Sequence, residues 1–176
     1  MRYTMDWIQT FTGRKFHPLD PAEEEFDIRD IAHSLSLLCR FNGHCLRFYS
    51  VAEHSVRVSR LLPVELRLWG LLHDAGEAYV TDLPRPVKKQ MPAFSDFEDR
   101  ILERVTRVFG LSWPMPAPVK AADDTLLATE ARDLMAPHPA DWGLGTDPLD
   151  EPITDPLGPE AAERLFLETF EAVTKS

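Results

Sequence analysis

The sequence predicts an all-α fold, and three observations point to it. Apolar residues recur at three- and four-residue spacing through most of the chain. Prolines and glycines fall mainly between those periodic segments. No stretch sustains the apolar–polar alternation of a half-buried strand. A length of 176 residues suits one domain, and domains of this size bury about 70% of their unfolded surface.

Residues 1–27 read as an extended N-terminal arm, since Gly13, Pro18 and Pro21 interrupt any long element. From Asp27 the pattern turns helical, with Ile28, Ile31, Leu35 and Leu38 on one stripe. A second helix is predicted over 51–62, with Ser50 as N-cap and Pro63 just past its end. A third is predicted to run unbroken from about Val64 to Tyr79 through Leu66, Trp69, Leu72 and His73. The stretch 81–92 holds three prolines and reads as a loop with extended segments. Ser95 and Glu98 have capping-box spacing, which predicts a helix from there to Gly110. A further helix is expected over 117–135. Residues 136–159 contain six of the fifteen prolines and read as a long loop. An amphipathic helix over 160–173, with Ala161, Leu165 and Phe166 on one face, closes the chain.

The net charge of −10 disfavours a sequence-independent nucleic-acid binder, which needs a basic surface to release counterions. A small anionic ligand stays compatible, because a few local cations or a metal ion dominate the field inside a pocket. Cys39 and Cys45 are the only cysteines and read as reduced thiols. No apolar run approaches the roughly 20 residues of a membrane span, and the first residues lack the apolar core of a signal peptide. A cytoplasmic location is the resulting expectation.

The sharpest local signal is GLLHDAGEAY, residues 70–79. An apolar helix here carries His73 and Asp74 side by side, then Glu77 one turn beyond His73. A buried turn rarely holds three ionisable groups unless they are paired or ligate something. His-Asp alone also has a bland reading, as a solvated turn with a satisfied histidine. Context comes from His54, which sits in AEHS among Val51, Val58 and Leu61 on the preceding helix. Histidines and carboxylates from facing helices are a common way to build a metal site in a helical core. VKAADDTLLATEARDL, residues 119–134, offers a further ligand from a later helix. Asp123 shares a face with Val119, Leu126, Leu127 and Glu130 there, while Asp124 points more sideways.

The series EHS, LLHDAGEAYVTDLPRPVK and VKAADDTLL resembles the HD superfamily of metal-dependent phosphohydrolases, over roughly residues 28–135. Closest in pattern are bacterial 5′-deoxynucleotidases and phage dATP triphosphohydrolases. The resemblance implies a helical bundle with one divalent metal between core helices, held by His54, His73, Asp74 and Asp123. Asp123 is preferred to Asp124 because VKAAD matches the family's Val-Lys-x-Ala-Asp. Glu77 matches the family's catalytic glutamate, and Asp82 and Lys88 belong to its Asp-Leu-Pro-x-Pro-x-Lys loop. Arg40 and Phe41 match an Arg-Trp pair that contacts phosphate and sugar, with phenylalanine replacing the indole. The arm segment with Gly13, Arg14 and Lys15 offers further phosphate contacts or a solvated turn.

Two imidazoles and two carboxylates suit Mn²⁺, Co²⁺, Fe²⁺ or Zn²⁺, with Mg²⁺ also open, better than calcium. The function implied is removal of the 5′-phosphate from 2′-deoxynucleoside monophosphates. A dNTP triphosphohydrolase is the alternative, and a non-catalytic nucleotide-sensing metal protein is the alternative of another class. The expected partners are a small-molecule nucleotide and further copies of this chain, with no nucleic acid and no membrane.

Overall fold

Helix α1 (Ile28–Leu37) begins where the sequence supplies a cap: the Asp27 carboxylate accepts from the Arg29 backbone N–H at 2.9 Å. Such a cap stabilises a helix by about 1 kcal/mol. The computed structural model describes residues 6–138, 140 and 142–175, and it is broadly all-α. Helix α2 (Val51–Leu61) is capped as expected by the Ser50 hydroxyl, which accepts from the Glu53 N–H at 3.1 Å.

The predicted continuous helix over 64–79 is broken. A 3₁₀ turn (Val64–Leu66) leads into α3 (Arg67–Leu72), and α4 (Glu77–Val80) resumes after four residues of turn. Backbone bonds there span three residues: Ala75 N–H donates to Leu72 O and Glu77 N–H to Asp74 O, both at 3.0 Å. The His73 side chain also takes the Gly70 carbonyl, its Nδ1 donating at 2.8 Å. That carbonyl would otherwise accept the next helical bond. Apolar periodicity cannot see the break, because tight and regular turns share the three-residue spacing.

The 81–92 segment contains a short helix, α5 (Arg85–Lys88), whose proline stands in the first turn, where its missing N–H costs nothing. Helix α6 (Pro92–Val108) starts before the anticipated Ser95–Glu98 box, again with proline in the first turn and no side-chain cap. Glu98 is engaged elsewhere: its carboxylate accepts from Lys88 Nζ at 2.8 Å. Gly110 ends the helix region as expected, at φ +72°. Helices α7 (Ala117–Leu134) and α8 (Pro159–Thr174) match their predicted ranges closely.

The arm is not wholly extended. Two short strands, β1 (Ile8–Gln9) and β2 (Lys15–Phe16), pair antiparallel around Gly13, which adopts φ +83°. Two-residue strands are too short to leave an alternation signal in the sequence. Phe16 and Phe26 anchor the arm: Phe16 stacks on Tyr79 at 3.8 Å, and Phe26 meets both rings edge-on. Arg14 bonds Asp27 and the Glu24 carbonyl, each at 3.0 Å, so this cation holds the arm to α1.

Helix α8 packs across α1, α2 and α3, burying Ala162 and Phe166 against a core of Ile31, Leu35, Trp69 and Leu72. Helices α2 and α3 approach most closely at Gly70, where an added Cβ would lie 2.9 Å from Ser59 Cα. The proline-rich loop is pinned at several points. Glu53 accepts from Leu157 N–H at 2.7 Å, Asp133 from Ile153 N–H at 2.8 Å, and Thr129 from Leu149 N–H at 2.9 Å. Among the described residues no helix is long and apolar enough to cross a membrane.

Candidate metal centre

Three elements converge on one point. Helix α2 contributes His54, the turn after α3 contributes His73 and Asp74, and α7 contributes Asp123. His54 is fully buried and His73 nearly so. Their Nε2 atoms stand 3.2 Å apart. His54 Nε2 also lies 3.3 Å from Asp123 Oδ1 and 3.6 Å from Asp74 Oδ2, and His73 Nε2 lies 3.3 Å from Asp74 Oδ2. His54, His73 and Asp123 form the tightest set, with one ligand atom of each within 4.8 Å of the others. The break between α3 and α4 matters here. On a regular helix, adjacent residues diverge by about 100°, whereas the turn lets His73 and Asp74 face the same partners.

The hydrogen bonds fix which ring nitrogen is available. His54 Nδ1 donates to Glu130 Oε1 at 2.6 Å and His73 Nδ1 to the Gly70 carbonyl. Each Nε2 therefore directs a lone pair at the other unless a proton or a cation lies among them. Two neutral imidazoles facing this way repel, so the cluster calls for positive charge. Ligands at about 2.1 Å from one ion stand about 3.0–3.4 Å apart; the 3.2 and 3.3 Å spacings meet this, and the His54–Asp74 spacing of 3.6 Å is slightly longer. The residue set fits one divalent transition ion, with borderline imidazole nitrogens and hard carboxylates combined.

The titration behaviour has the same origin. Burial and the Arg40 guanidinium push the His54 imidazole down, yet Glu130 and Asp123 outweigh them and hold it at about 9. Burial works to raise the Asp123 carboxyl, but the bond to His54 and the charges of His54, His73 and Arg40 hold it well below the ordinary range. The imidazole and the carboxylates thus hold one another in their charged forms.

Glu130 is the residue that sequence reasoning placed on the right face but gave no role. It is fully buried and fixes both His54 and Arg40, accepting from Arg40 Nε at 3.1 Å and from a terminal Arg40 nitrogen at 2.9 Å. Its signal was a carboxylate two turns beyond Asp123 inside an apolar run. Arg40 itself is buried beneath the site, with its other terminal nitrogen 3.7 Å from Asp74 Oδ2. The first task of Arg40 here is to neutralise Glu130.

Glu77, at the start of α4, is buried, and its Oε2 makes no hydrogen bond. Burial, with Asp74 and Asp82 nearby, pushes its carboxyl well above the usual range, against the pull of Arg40 and Lys88. Asp82 and Lys88 thus flank Glu77 on the α4–α5 side, and Glu98 of α6 holds Lys88. At the rim, Arg85 reaches Asp124 at 3.0 Å and Asp123 at 3.6 Å, and Lys120 reaches Asp123 at 3.1 Å and also bonds Asp124. Asp124 therefore meets rim cations alone, while Asp123 presents Oδ1 to His54 and Oδ2 to the same cations. Phe41 lies farther out, with its ring 5.4 Å from the Arg40 guanidinium and edge-on to Trp142 at 5.9 Å. Phe41 and Asn42 both adopt left-handed backbone, φ +54° and +51°, at about 1 kcal/mol or more each for non-glycine residues.

No family model matches the chain. It is 40% identical over 168 residues to the uncharacterized protein YfdR of Escherichia coli (strain K12), with 94% of each chain covered. It is 36% identical over 142 residues to an uncharacterized protein of Rhodobacter capsulatus, covering 73% of this chain and 72% of that one. With that identity sustained along nearly all of both sequences, the chain belongs to the same family as YfdR.

Proposed function

We propose that the chain is an HD-type, metal-dependent phosphohydrolase that removes the 5′-phosphate of 2′-deoxynucleoside monophosphates. The observation that carries this reading is the His54–His73 pair at 3.2 Å, with both Nδ1 atoms already engaged and Asp74 and Asp123 beside them. His54, His73, Asp74 and Asp123 would hold Mn²⁺, Co²⁺, Fe²⁺, Zn²⁺ or Mg²⁺. A divalent ion there would acidify water and draw charge from a phosphoryl oxygen.

The remaining chemistry belongs to the chain. Glu77 Oε2 is a buried, unpaired acceptor beside the site, suited to receive the proton of an attacking water as it approaches phosphorus in line. Asp82 lies on the same side and orients that water or the substrate. Lys88 stands close enough to influence Glu77 and offsets phosphate charge, with the spare edge of Arg40 below. Phe41 is assigned to the sugar. A cytoplasmic protein that associates with its own copies is part of the same reading.

Arg85 and Lys120 at the rim favour a second reading, a dNTP triphosphohydrolase, because a triphosphate needs more cations. Phosphate or tripolyphosphate release from the four dNMPs and dNTPs, assayed with Mn²⁺ and with Co²⁺, separates the two. Release of phosphate from dNMPs is expected. Preference for dNTPs promotes the second reading, and inactivity on both sets removes the catalytic assignment.

A further inference from the structure

Beyond Phe41 the structure opens a cavity of about 450 Å³ between α7 and the proline-rich loop. Its floor includes Ala128 and Ala131, and its walls include Trp142, His138, Leu144 and Thr146. We propose that this cavity binds a planar heteroaromatic base, the base of the nucleotide whose phosphate the metal centre takes. The second half of that statement rests on the phosphohydrolase reading, whereas the cavity's preference for a base does not.

The volume falls in the range of small-molecule sites, about 300–1,000 Å³. The two alanines leave a shallow, flat floor where longer side chains would fill the slot. Trp142 is 40% exposed, so part of its indole is open to the cavity that it lines. His138 meets it edge-on at 5.4 Å and Phe41 does so at 5.9 Å, so the indole has two aromatic neighbours. The hydroxyl of Thr146 is 3.2 Å from that of Thr125 on α7, which ties the loop wall to the floor helix. An aromatic wall with hydroxyl and ring nitrogens at its margin is the chemistry that holds a base, by stacking plus a few edge contacts.

Placement relative to the metal centre supports the pairing. Ala128 and Ala131 lie five and eight residues beyond Asp123 on one continuous helix, about 8–12 Å along its axis. A chain of contacts links the two places: Arg40 lies 3.7 Å from Asp74, and the Phe41 ring neighbours both Arg40 and Trp142. The two consecutive left-handed residues make that bridging position possible.

Two measurements test the proposal. The first is kinetic: dAMP against deoxyribose 5-phosphate, which keeps phosphate and sugar but lacks the base, in the metal-loaded protein and in Trp142→Ala. The expected result is a KM about tenfold higher for dAMP in the variant, with kcat and deoxyribose 5-phosphate unaffected. An unchanged ratio between the two substrates overturns the base pocket while leaving the phosphohydrolase reading intact. The second needs no turnover: deoxyadenosine is titrated into ¹⁵N-labelled protein, with the Trp142 indole N–H assigned through Trp142→Phe. A saturable shift of that resonance supports the pocket even if no phosphate ester is cleaved. Its absence, with the other three indoles also unmoved, overturns it.

Discussion

His54 Nε2 and His73 Nε2 face each other across 3.2 Å, and neither can turn away, because Glu130 and the Gly70 carbonyl hold their opposite nitrogens. The pair is pre-organised for a positive charge before any ligand arrives. Metal analysis after loading with Mn²⁺ or Co²⁺ is expected to give one ion per chain, and His73→Ala is expected to abolish it. Binding to the folded state alone should also raise stability, by about 4 kcal/mol at a thousandfold excess over Kd. A variant that keeps full metal content would sink the ligand assignment.

Glu130 couples the centre to Arg40. Glu130→Ala leaves a buried guanidinium without its partner and is expected to destabilise the fold by about 3–5 kcal/mol. Glu130→Gln keeps the shape and one acceptor oxygen but drops the charge. Metal affinity in that variant should fall about 10- to 100-fold, the usual cost of losing an outer carboxylate behind a ligating histidine. Isothermal titration with Co²⁺ reads the change, and unaltered affinity would show that Glu130 serves Arg40 alone.

Under the proposed reading, Glu77 would separate holding the ion from using it. Glu77→Gln removes the acceptor at Oε2 while leaving His54, His73, Asp74 and Asp123 untouched. Metal content should persist and turnover should fall about 10²- to 10⁴-fold. Loss of the metal instead would make Glu77 a ligand.

Gly70→Ala tests the closeness of α2 and α3. The new methyl would meet Leu62 Cδ1 at 2.6 Å and the Ser59 backbone at 2.9–3.0 Å. A side-chain end can yield, but backbone cannot, so the helices must separate. A loss of about 1–3 kcal/mol is expected by chemical denaturation, with weaker metal binding because His73 leans on the Gly70 carbonyl. An unchanged midpoint would mean that α3 slides freely, contrary to the packing.

Asp27 gives the fold an acid limit. Its bond to Arg29, aided by the charge of Arg14 and against a desolvation effect, lowers its carboxyl from 3.8 to about 2. A depressed folded-state value contributes stability that is present above pH 3.8 and lost as pH falls towards 2. Asp27→Asn keeps an oxygen to cap α1 but has no charge to lose. Thermal midpoints measured from pH 5 to pH 2 should therefore fall less steeply in the variant, and parallel curves would count against the assignment.

Much of this was legible in the sequence, and the parts that were not share a cause. The α1, α2, α7 and α8 ranges follow from apolar stripes and terminal prolines or caps, which are local signals. The VKAAD pattern favours Asp123 over Asp124; in the structure Asp123 lies 3.3 Å from His54 Nε2, and both carboxylates reach Arg85. The break at 73–76 escaped detection because it depends on a side chain capturing a backbone carbonyl, which periodicity does not record. Ser95 and Glu98 had capping spacing, but a proline starts the helix earlier and Lys88 claims the glutamate, a contact across elements. The engagement of Arg40 by Glu130 was invisible for the same reason: the two are 90 residues apart.

The same separation governs when the centre comes into being. The facing imidazoles are 19 residues apart, but the carboxylate that sets the His54 tautomer lies 76 residues downstream of it. A chain leaving the ribosome carries both histidines well before α7 has been synthesised, and until then nothing aims them. Closing so long a loop is slow and entropically costly, so a high-affinity pocket exists only after translation has passed Glu130. An ion bound there, as proposed, would be the final part fitted, taken by a finished scaffold from whatever the cellular metal pool offers. Under the proposed reading, which metal is acquired would depend on that pool and on the rigidity of the aimed ligands, not on which site emerges first.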